Sequence, residues 1–224
     1  MSRLTIKGVA VKTIIFDFDG TLAKLNINFL EMRRKIDELI ALYNIDVSAM
    51  QKTHILETVY SAYGILRLES PGRGARFKKQ AYRLIEEIEL AAAANGELFV
   101  HTKCLLEKLL FYTISAGVIT RNCRAAVYKI FPDILRYCPV VVCRDTVTYV
   151  KPHPEHLNKA LEMTGGRAEN SLMVGDHPLD IETGKNAGTI TAGVLTGSYS
   201  RKDFVQAGAD LVLTEAAQIL QWIR

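Results

Sequence analysis

The spacing of hydrophobic positions changes twice along the chain, and each change predicts a different kind of structure. The run Thr13–Phe18 is short, nearly all apolar and β-branched at its start, and it ends at the turn signal Asp19-Gly20-Thr21. A run of this kind is typical of a strand that is buried on both faces of a parallel sheet. We therefore predict the first strand of a parallel sheet at Thr13–Phe18.

From about Leu25 to Asn95, hydrophobic residues recur every three or four positions, as on successive amphipathic helices. No strand pattern interrupts this stretch, which predicts an all-helical insert directly after the first strand. The predicted pieces are a helix beginning near Phe29, a helix over Ser48–Tyr63 with Ser48 as N-cap, a loop over Ser70–Gly74, and a helix over Ala75–Ala94.

After the insert, apolar runs alternate with segments of helical spacing. This rhythm favours an α/β fold, a Rossmann-like parallel sheet with helices on both faces. The predicted core domain comprises residues 1–24 and 97–224, and the predicted insert comprises residues 25–96. The predicted strands are Tyr112–Thr120, Val140–Cys143, Ser171–Val174, Thr189–Val194 and Asp210–Leu213, and the predicted helices are Thr102–Leu110, Arg124–Ile130, Pro154–Thr164, Leu179–Ala187 and Glu215–Arg224.

Composition narrows the class of protein without naming a function. The chain has 224 residues, of which 49% are hydrophobic and 23% charged, so it can bury a substantial core. The net charge of +4 comes without a basic run interleaved with aromatics, so we expect no nucleic-acid partner. We also expect a cytoplasmic protein without a membrane partner, because no signal-peptide profile and no apolar run of about 18 residues occurs.

The four cysteines give no sign of a metal site or a disulfide framework. They form no C-x-x-C pair and have no histidine cluster beside them, so we interpret them as reduced thiols. His153 and His156, near the start of a predicted helix, lack a third zinc ligand at suitable spacing. We expect His177 to face solvent.

Polar residues follow several of the predicted strands, and parallel sheets bind ligands at this edge. Asp17 and Asp19 bring two carboxylates close together, which favours a cation such as Mg²⁺ between them. Thr120 ends another strand, and the backbone amides of Arg121 and Asn122 precede a helix. This second group can bind phosphate oxygens.

Two further groups come later in the chain. Lys151 lies on a stiff segment next to Pro152, from which it can reach the same edge as a positive charge for phosphate. Asp176 follows a buried strand, and Asp180 lies in the next turn. Each group alone has an ordinary explanation as a turn, a cap or a surface side chain. Their order, each at a strand end, predicts a joint cation and phosphate site.

These residues form four motifs, D-F-D-G-T, V-I-T-R-N, V-K-P-H-P and G-D-H-P-L-D. In this order, over nearly the whole chain, they resemble the motifs of the haloacid dehalogenase-like hydrolase superfamily. The chain looks most like its phosphoglycolate phosphatases, although Ala23-Lys24-Leu25-Asn26 replaces the acidic residue and serine that often follow their first motif. Supporting stretches are residues 151–157, 173–176, 184–188 and 193–197.

The resemblance implies a mechanism with two aspartates in different roles. Asp17 would be the nucleophile that takes the phosphoryl group as an aspartyl-phosphate. Asp19 would protonate the leaving oxygen and then activate water. True dehalogenases lack an acid two residues after the nucleophile, so Asp19 favours phosphoryl transfer over halide displacement.

The resemblance also implies the binding roles. Mg²⁺ would be held by the Asp17 carboxylate, the Asp19 backbone carbonyl and Asp176, while Asp180 would support the metal's waters or orient Lys151. The residues expected to bind the phosphoryl group are Asp17, Thr120, Arg121, Asn122 and Lys151.

The helical insert resembles the family's cap domain, which closes over the site and selects the substrate. We therefore expect a Mg²⁺-dependent phosphatase that hydrolyses a small phosphorylated metabolite, such as 2-phosphoglycolate, as a monomer or homodimer. The alternatives are a sugar phosphomutase resembling beta-phosphoglucomutase, a pyrophosphatase, and, least favoured, a phosphate-binding module without activity.

Overall fold

The structure is a computed structural model that describes residues 4–46 and 54–223. The chain divides into two compact units, one of Met1–Leu25 with Asn95–Arg224 and the other of Asn26–Ala94. These boundaries lie one or two residues from the predicted ones. None of the helices described is long and apolar enough to cross a bilayer.

Among its described residues, the first unit contains ten strands, five α-helices and several 3-10 helices. In chain order the strands are β1 (Leu4–Ile6), β2 (Val9–Val11), β3 (Thr13–Phe16), β4 (Ala23–Lys24), β5 (Glu97–Leu98), β6 (Ser115–Thr120), β7 (Val140–Cys143), β8 (Ser171–Gly175), β9 (Ile190–Val194) and β10 (Leu211–Leu213). The helices of both units are α1 (Phe29–Leu42), α2 (Ile55–Glu69), α3 (Pro71–Ala93), α4 (Thr102–Phe111), α5 (Arg124–Ile130), α6 (Pro154–Thr164), α7 (Pro178–Asn186) and α8 (Arg201–Ala207).

Six strands form one parallel sheet in the order β10-β9-β8-β3-β6-β7. Every residue of β3 and β8 is buried, which explains their nearly continuous apolar sequence. Ile15 and Met173 share a hydrophobic cluster with Leu157 and Leu161 of α6, so this helix covers one face of the sheet. The predicted α/β fold is confirmed.

Two short antiparallel pairs supplement the sheet. The hairpin β1–β2, which was not predicted, turns at Lys7 and Gly8, both with positive φ, as a tight two-residue turn requires. The second pair joins β4 to β5, with Ala23 opposite Leu98 and Lys24 opposite Glu97. The pair β4–β5 therefore ties together the two chain segments that lead into and out of the insert.

Where the structure describes it, the second unit contains α1, α2 and α3 around a core of its own. Tyr43 packs edge-on against Phe77, with ring centroids 5.2 Å apart. The Asn28 side chain accepts a hydrogen bond from the Glu31 N–H at 3.0 Å and so caps α1. Buried apolar residues from all three helices form the core: Met32, Ile36, Leu39, Ile40, Val59, Ala62, Leu66, Phe77, Ala81, Ile85 and Ile88.

The predicted loop at Ser70–Gly74 is wrong, because α3 already begins at Pro71. Proline suits the first turn of a helix, where its missing N–H would have no helical partner. Gly74, buried inside α3, lets the backbone of α3 approach that of α2 at Arg67. Pro71 therefore begins a helix, and Gly74 permits close helix packing, so neither residue belongs to a loop here.

Several other elements also differ from the prediction, three of them in ways that matter for the fold. The strand predicted from Tyr112 begins only at Ser115, because Tyr112 ends α4 and Thr113 has a positive φ of 56°. The predicted terminal helix is a 3-10 helix over Ala216–Trp222. The helix predicted from Ser48 is described only from Ile55, and Ser48 itself lies outside the described residues.

Alanine substitutions at two glycines on the facing helices α2 and α3 should change the stability of the protein in opposite directions. A Cβ at Gly64 of α2 would meet no atom within 4 Å, whereas a Cβ at Gly74 of α3 would lie 3.0 Å from the Arg67 backbone nitrogen. We expect Gly64→Ala to raise the free energy of unfolding by about 0.5–1 kcal/mol, because alanine favours helix. Gly74→Ala should lower it, since the two backbones must separate. Urea denaturation of both variants measures this, and a gain for Gly74→Ala would contradict the close packing described.

Candidate active site

Three of the predicted site residues lie at the carboxyl ends of adjacent central strands. Asp17 follows β3, Thr120 ends β6 and Asp176 follows β8. Strand β3 pairs with β6 on one side and with β8 on the other, and the Asp17 N–H continues the second ladder by donating to Val174 at 2.8 Å. Sheet register alone therefore brings these residues to one edge, as the sequence predicted.

Lys151 reaches this edge from the segment before α6. Its Nζ donates to Oδ1 of Asp17 and to Oδ1 of Asp180, each at 2.6 Å. The Lys151 residue is only 3% exposed, so the two ion pairs are shielded from water. Three charged residues that are far apart in sequence thus form one buried triad of charges.

The carboxylates of Asp17, Asp176 and Asp180 offer oxygen atoms that lie within 4.8 Å of one another. Carboxylate oxygens at this spacing are the ligands that hard divalent cations take in proteins. The group can therefore hold such a cation. The side chain of Asp19 is not part of this group, and its predicted contribution was a backbone carbonyl.

Asp180 already uses both of its oxygens within the protein. Oδ1 accepts from Lys151, and Oδ2 accepts from the His177 N–H at 3.1 Å, which completes a capping box at the start of α7. In contrast, no hydrogen bond to the Asp176 carboxylate occurs within the described ranges. These contacts suit Asp176 for direct metal binding and Asp180 for a supporting role.

Burial, together with the neighbouring charges, raises the pKa of the Asp176 and Asp180 carboxyl groups. Burial, and then the negative charges of Asp17 and Asp180, raise the pKa of Asp176 to about 9. Burial also raises the pKa of Asp180, although the attraction of Lys151 opposes it. Because like charges in a low dielectric repel strongly, a divalent cation among these oxygens would favour their ionised forms.

Lys151 itself remains protonated. Burial alone would lower the pKa of its ammonium group, but the charges of Asp17 and Asp180 outweigh burial and raise that pKa. The site therefore keeps one fixed positive charge at Oδ1 of Asp17.

Asp19 is held in place by the turn that follows β3. Its Oδ1 accepts from the Leu25 N–H at 3.0 Å. Burial, and next the charge of Asp17, raise the pKa of the Asp19 carboxyl to about 7. A carboxyl group with this pKa can both donate and accept a proton near neutral pH.

The second motif is tightly organised by hydrogen bonds. Thr120 and Asn122 are buried, and Thr120 Oγ accepts from the Asn122 N–H at 3.1 Å. The Arg121 guanidinium donates to the backbone carbonyl of Lys151. Asn122 Nδ2 is buried and has no hydrogen-bond partner among the described residues. Of the predicted phosphate-binding residues, Asp17 and Arg121 thus contact Lys151, and the buried amide donor of Asn122 is left unsatisfied.

Two glycines make room for the Asp176 carboxylate. A Cβ at Gly20, whose φ is +77°, or at Gly197 would collide with the Asp176 side chain. The first position requires glycine for its backbone conformation as well as for this close approach. Loops from two distant parts of the chain therefore close around one carboxylate.

Comparison with known proteins agrees with this arrangement. The profile of the haloacid dehalogenase-like hydrolases matches residues 14–194, which span all four motifs. The chain belongs to the haloacid dehalogenase-like hydrolase family.

Curated relatives of this hydrolase include pyrophosphatases. The chain is 30% identical over 224 aligned residues to Pyrophosphatase PpaX of Bacillus cereus strain AH820, covering 94% of this chain and 95% of that protein. It is 29% identical over 205 residues to Pyrophosphatase PpaX of Oceanobacillus iheyensis, covering 87% of each.

A predicted phosphoglycolate phosphatase of Haemophilus somnus 129PT has a similar fold. Its structure superposes with a TM-score of 0.62 at 21% identity, covering 94% of this chain and 97% of that one. This chain is a phosphatase, because it belongs to this hydrolase family and its relatives are named as phosphatases.

The structure of this hydrolase also gives His177 and His156 contacts that the sequence did not predict. His177, expected to face solvent, is half-buried: its Nδ1 accepts from the Leu179 N–H at 2.9 Å, and its Nε2 lies 2.8 Å from the Tyr199 hydroxyl. His156 is completely buried beside Lys151. For these histidines the sequence indicated only solvent exposure or a helix start, because it does not show which side chains the fold buries or that Tyr199 lies next to His177.

Removal of the buried lysine charge should destabilise this hydrolase. We expect Lys151→Met to lower the free energy of unfolding by about 3–5 kcal/mol at pH 7, because Asp17 and Asp180 lose their common cation. The control is Lys159→Met, which removes an exposed ion pair of 3.0 Å to Glu162 and should cost less than about 1 kcal/mol. Urea denaturation measures the free energy of unfolding of both variants. Equally small losses of stability in the two variants would contradict a triad that is shielded from water.

Proposed function

We propose that this protein is a Mg²⁺-dependent phosphatase that moves the phosphoryl group of a small metabolite first to Asp17 and then to water. The observation that carries the proposal is the position of Asp17. One of its oxygens is bound to the buried ammonium of Lys151, and its carboxylate also belongs to the acidic group that suits a cation. A nucleophile between two positive charges is what phosphoryl transfer requires.

In the first step, a carboxylate oxygen of Asp17 attacks phosphorus in line with the leaving group. The Asp17–phosphorus bond forms while the bond from phosphorus to the leaving oxygen breaks. Asp19 gives its proton to that oxygen, so the product leaves as a neutral alcohol. The hydrogen bond from Leu25 keeps the Asp19 carboxyl oriented for this transfer.

In the second step, Asp19 takes a proton from water, and the resulting hydroxide attacks the phosphorus of the aspartyl-phosphate. The bond between Asp17 and phosphorus breaks, inorganic phosphate is released, and both aspartates return to their starting states. Lys151 balances the negative charge that develops on the phosphoryl oxygens in both steps.

The residues present suit Mg²⁺ well. Asp17, the backbone carbonyl of Asp19 and Asp176 would hold the ion, with Asp180 in a supporting role because its oxygens already bind Lys151 and His177. When bound, the ion neutralises negative charge on the phosphoryl group and between the carboxylates.

Residues of the second motif would complete the phosphate site. The Thr120 hydroxyl can donate to a phosphoryl oxygen, and the unsatisfied Nδ2 of Asn122 supports a donor role for Asn122. The Arg121 guanidinium would add positive charge beside Lys151.

Two substrate classes have support. The resemblance to phosphoglycolate phosphatases favours a phosphomonoester such as 2-phosphoglycolate. The relatives named Pyrophosphatase PpaX favour pyrophosphate as the second candidate. We assign the choice to the helical insert, residues 25–96, as a cap domain, because the phosphoryl-transfer residues are common to both chemistries.

The test is phosphate release with and without Mg²⁺ from an aryl phosphate, 2-phosphoglycolate, hexose phosphates, nucleotides and pyrophosphate. We expect Mg²⁺-dependent release, and a preference for one compound would identify the substrate. Asp17→Asn should lower kcat by about 10⁴-fold or more, because the nucleophile is lost. Asp133→Asn, which changes an exposed carboxylate paired with Lys103, is the control and should retain activity. Activity of Asp17→Asn near the wild-type level would exclude Asp17 as nucleophile.

The acid role of Asp19 predicts a dependence on the leaving group. Asp19→Ala should lower kcat by about 10²–10⁴-fold on an alkyl phosphate, whose leaving oxygen needs a proton. The loss in the phosphoryl-transfer step should be smaller with an activated aryl phosphate, because its leaving group departs without protonation. The burst of released phenol measures this step by itself. A loss in the phenol burst as large as the loss in kcat on the alkyl phosphate would contradict the assignment.

A further inference from the structure

His156 makes two hydrogen bonds that connect the catalytic lysine to the sheet. Its Nδ1 accepts from the backbone N–H of Lys151 at 3.2 Å, and its Nε2 lies 2.9 Å from the backbone carbonyl of Val142 in β7. A carbonyl can only accept, and an amide N–H can only donate. The two partners therefore fix a neutral imidazole with its proton on Nε2.

The segment that carries Lys151 has no strand or helix to hold it. Residues 147–153 lie between a 3-10 turn and α6 and belong to no regular element. Strand β7 is part of the rigid sheet, so the bond from His156 to Val142 gives the segment a fixed reference point. The Lys151 peptide is thereby held from its N–H side by an imidazole.

The carbonyl side of Lys151 is held as well. The Arg121 guanidinium donates to the Lys151 carbonyl, while the ammonium group binds Asp17 and Asp180. Backbone and side chain of the lysine are thus fixed separately. A backbone shift would have to lengthen one of the two 2.6 Å bonds of Nζ, since the four-carbon side chain is completely enclosed.

Complete burial also keeps the imidazole uncharged. His156 is 0% exposed, and burial lowers the pKa of the imidazole to about 3. Its hydrogen bond to Val142 opposes this shift, while the positive charge of Lys151 adds to it. Nδ1 therefore remains an acceptor throughout the range in which a phosphatase works.

We propose that His156 is a positioning residue for the phosphatase reaction, because its neutral imidazole joins the Lys151 backbone to strand β7 and so places the lysine ammonium against Asp17. The inference rests on the proposed function, in which Lys151 balances the charge of the phosphoryl group. Because His156 is also anchored through its place in α6, loss of the bond to Lys151 should affect turnover more than loss of the bond to Val142.

Two substitutions separate these bonds. His156→Asn can place an amide oxygen near the position of Nδ1 and keep an acceptor for the Lys151 N–H. His156→Gln can place its amide nitrogen near the position of Nε2 and keep the donor to Val142. Each variant loses one hydrogen bond of the wild-type imidazole, so each serves as the stability control for the other.

The expected result is a difference in kcat between the two variants. With an aryl phosphate and Mg²⁺, His156→Gln should lower kcat by about 10–100-fold and leave KM within about threefold, because the ammonium is misplaced. His156→Asn should retain kcat within about threefold. A purely structural role predicts losses that follow thermal stability, and equal kcat values for the two variants would overturn the proposal.

Hydrogen exchange at the Lys151 amide provides a readout that does not need activity. The amide should be protected in the wild type and in His156→Asn, and it should exchange faster in His156→Gln. If the wild type released no phosphate, only the proposed function would be contradicted. Hydrogen exchange at the Lys151 amide would still decide whether His156 holds Lys151. Unchanged exchange in His156→Gln would overturn the proposal.

Nitrogen NMR of the wild-type imidazole covers the case in which a variant does not fold. His156 should show an unprotonated Nδ1 and a protonated Nε2 at pH 5 as at pH 8. A protonated Nδ1 in that range would overturn the proposal, because the Lys151 N–H would then have no acceptor.

Discussion

The repulsion between buried carboxylates is the constraint on which this site depends. Asp17, Asp176 and Asp180 bring oxygens within 4.8 Å of one another, and Asp19 adds a fourth acid two residues from the first. Such a group is stable only with positive charge among its members. Lys151 provides the permanent part of that charge, and a divalent cation would provide the rest. The positive charges that this repulsion calls for can also attract the negative oxygens of a phosphoryl group.

Only a few strands and one helix are needed to bring these charged residues together. Parallel pairing of β3 with β6 and β8 places three chain segments side by side at one edge, and the start of α7 presents Asp180 from the adjoining turn. Lys151 is the exception, because it comes from an irregular segment and depends on side-chain contacts for its position. An irregular segment thus carries the buried ammonium group, and hydrogen bonds from other parts of the chain hold the Lys151 peptide on both sides.

The sequence alone was sufficient for the sheet and for the residues at its strand ends, because apolar runs mark buried strands and parallel strands end together. The sequence did not predict the contacts of His156. Its Nε2 is bonded to a carbonyl 14 residues earlier, in a strand that only the fold brings close. Pro71 and Gly74 were misleading as loop signals, because Pro71 lies in the first turn of α3 and Gly74 lets α3 pack closely against Arg67. The hairpin at Lys7 and Gly8 had a turn signal, but its strands of three residues are too short for a clear alternation.

The antiparallel pair β4–β5 has a consequence for how such an enzyme can diverge. Because Lys24 and Glu97 face each other, the chain leaves the core and returns to it at a single ladder, independent of what lies between. Substitutions, insertions or even replacement of the intervening helices would leave the register of the six-stranded sheet untouched. Evolution could therefore retain one phosphoryl-transfer chemistry and exchange the segment between these two strands, so that a family of enzymes with different substrates descends from one conserved core.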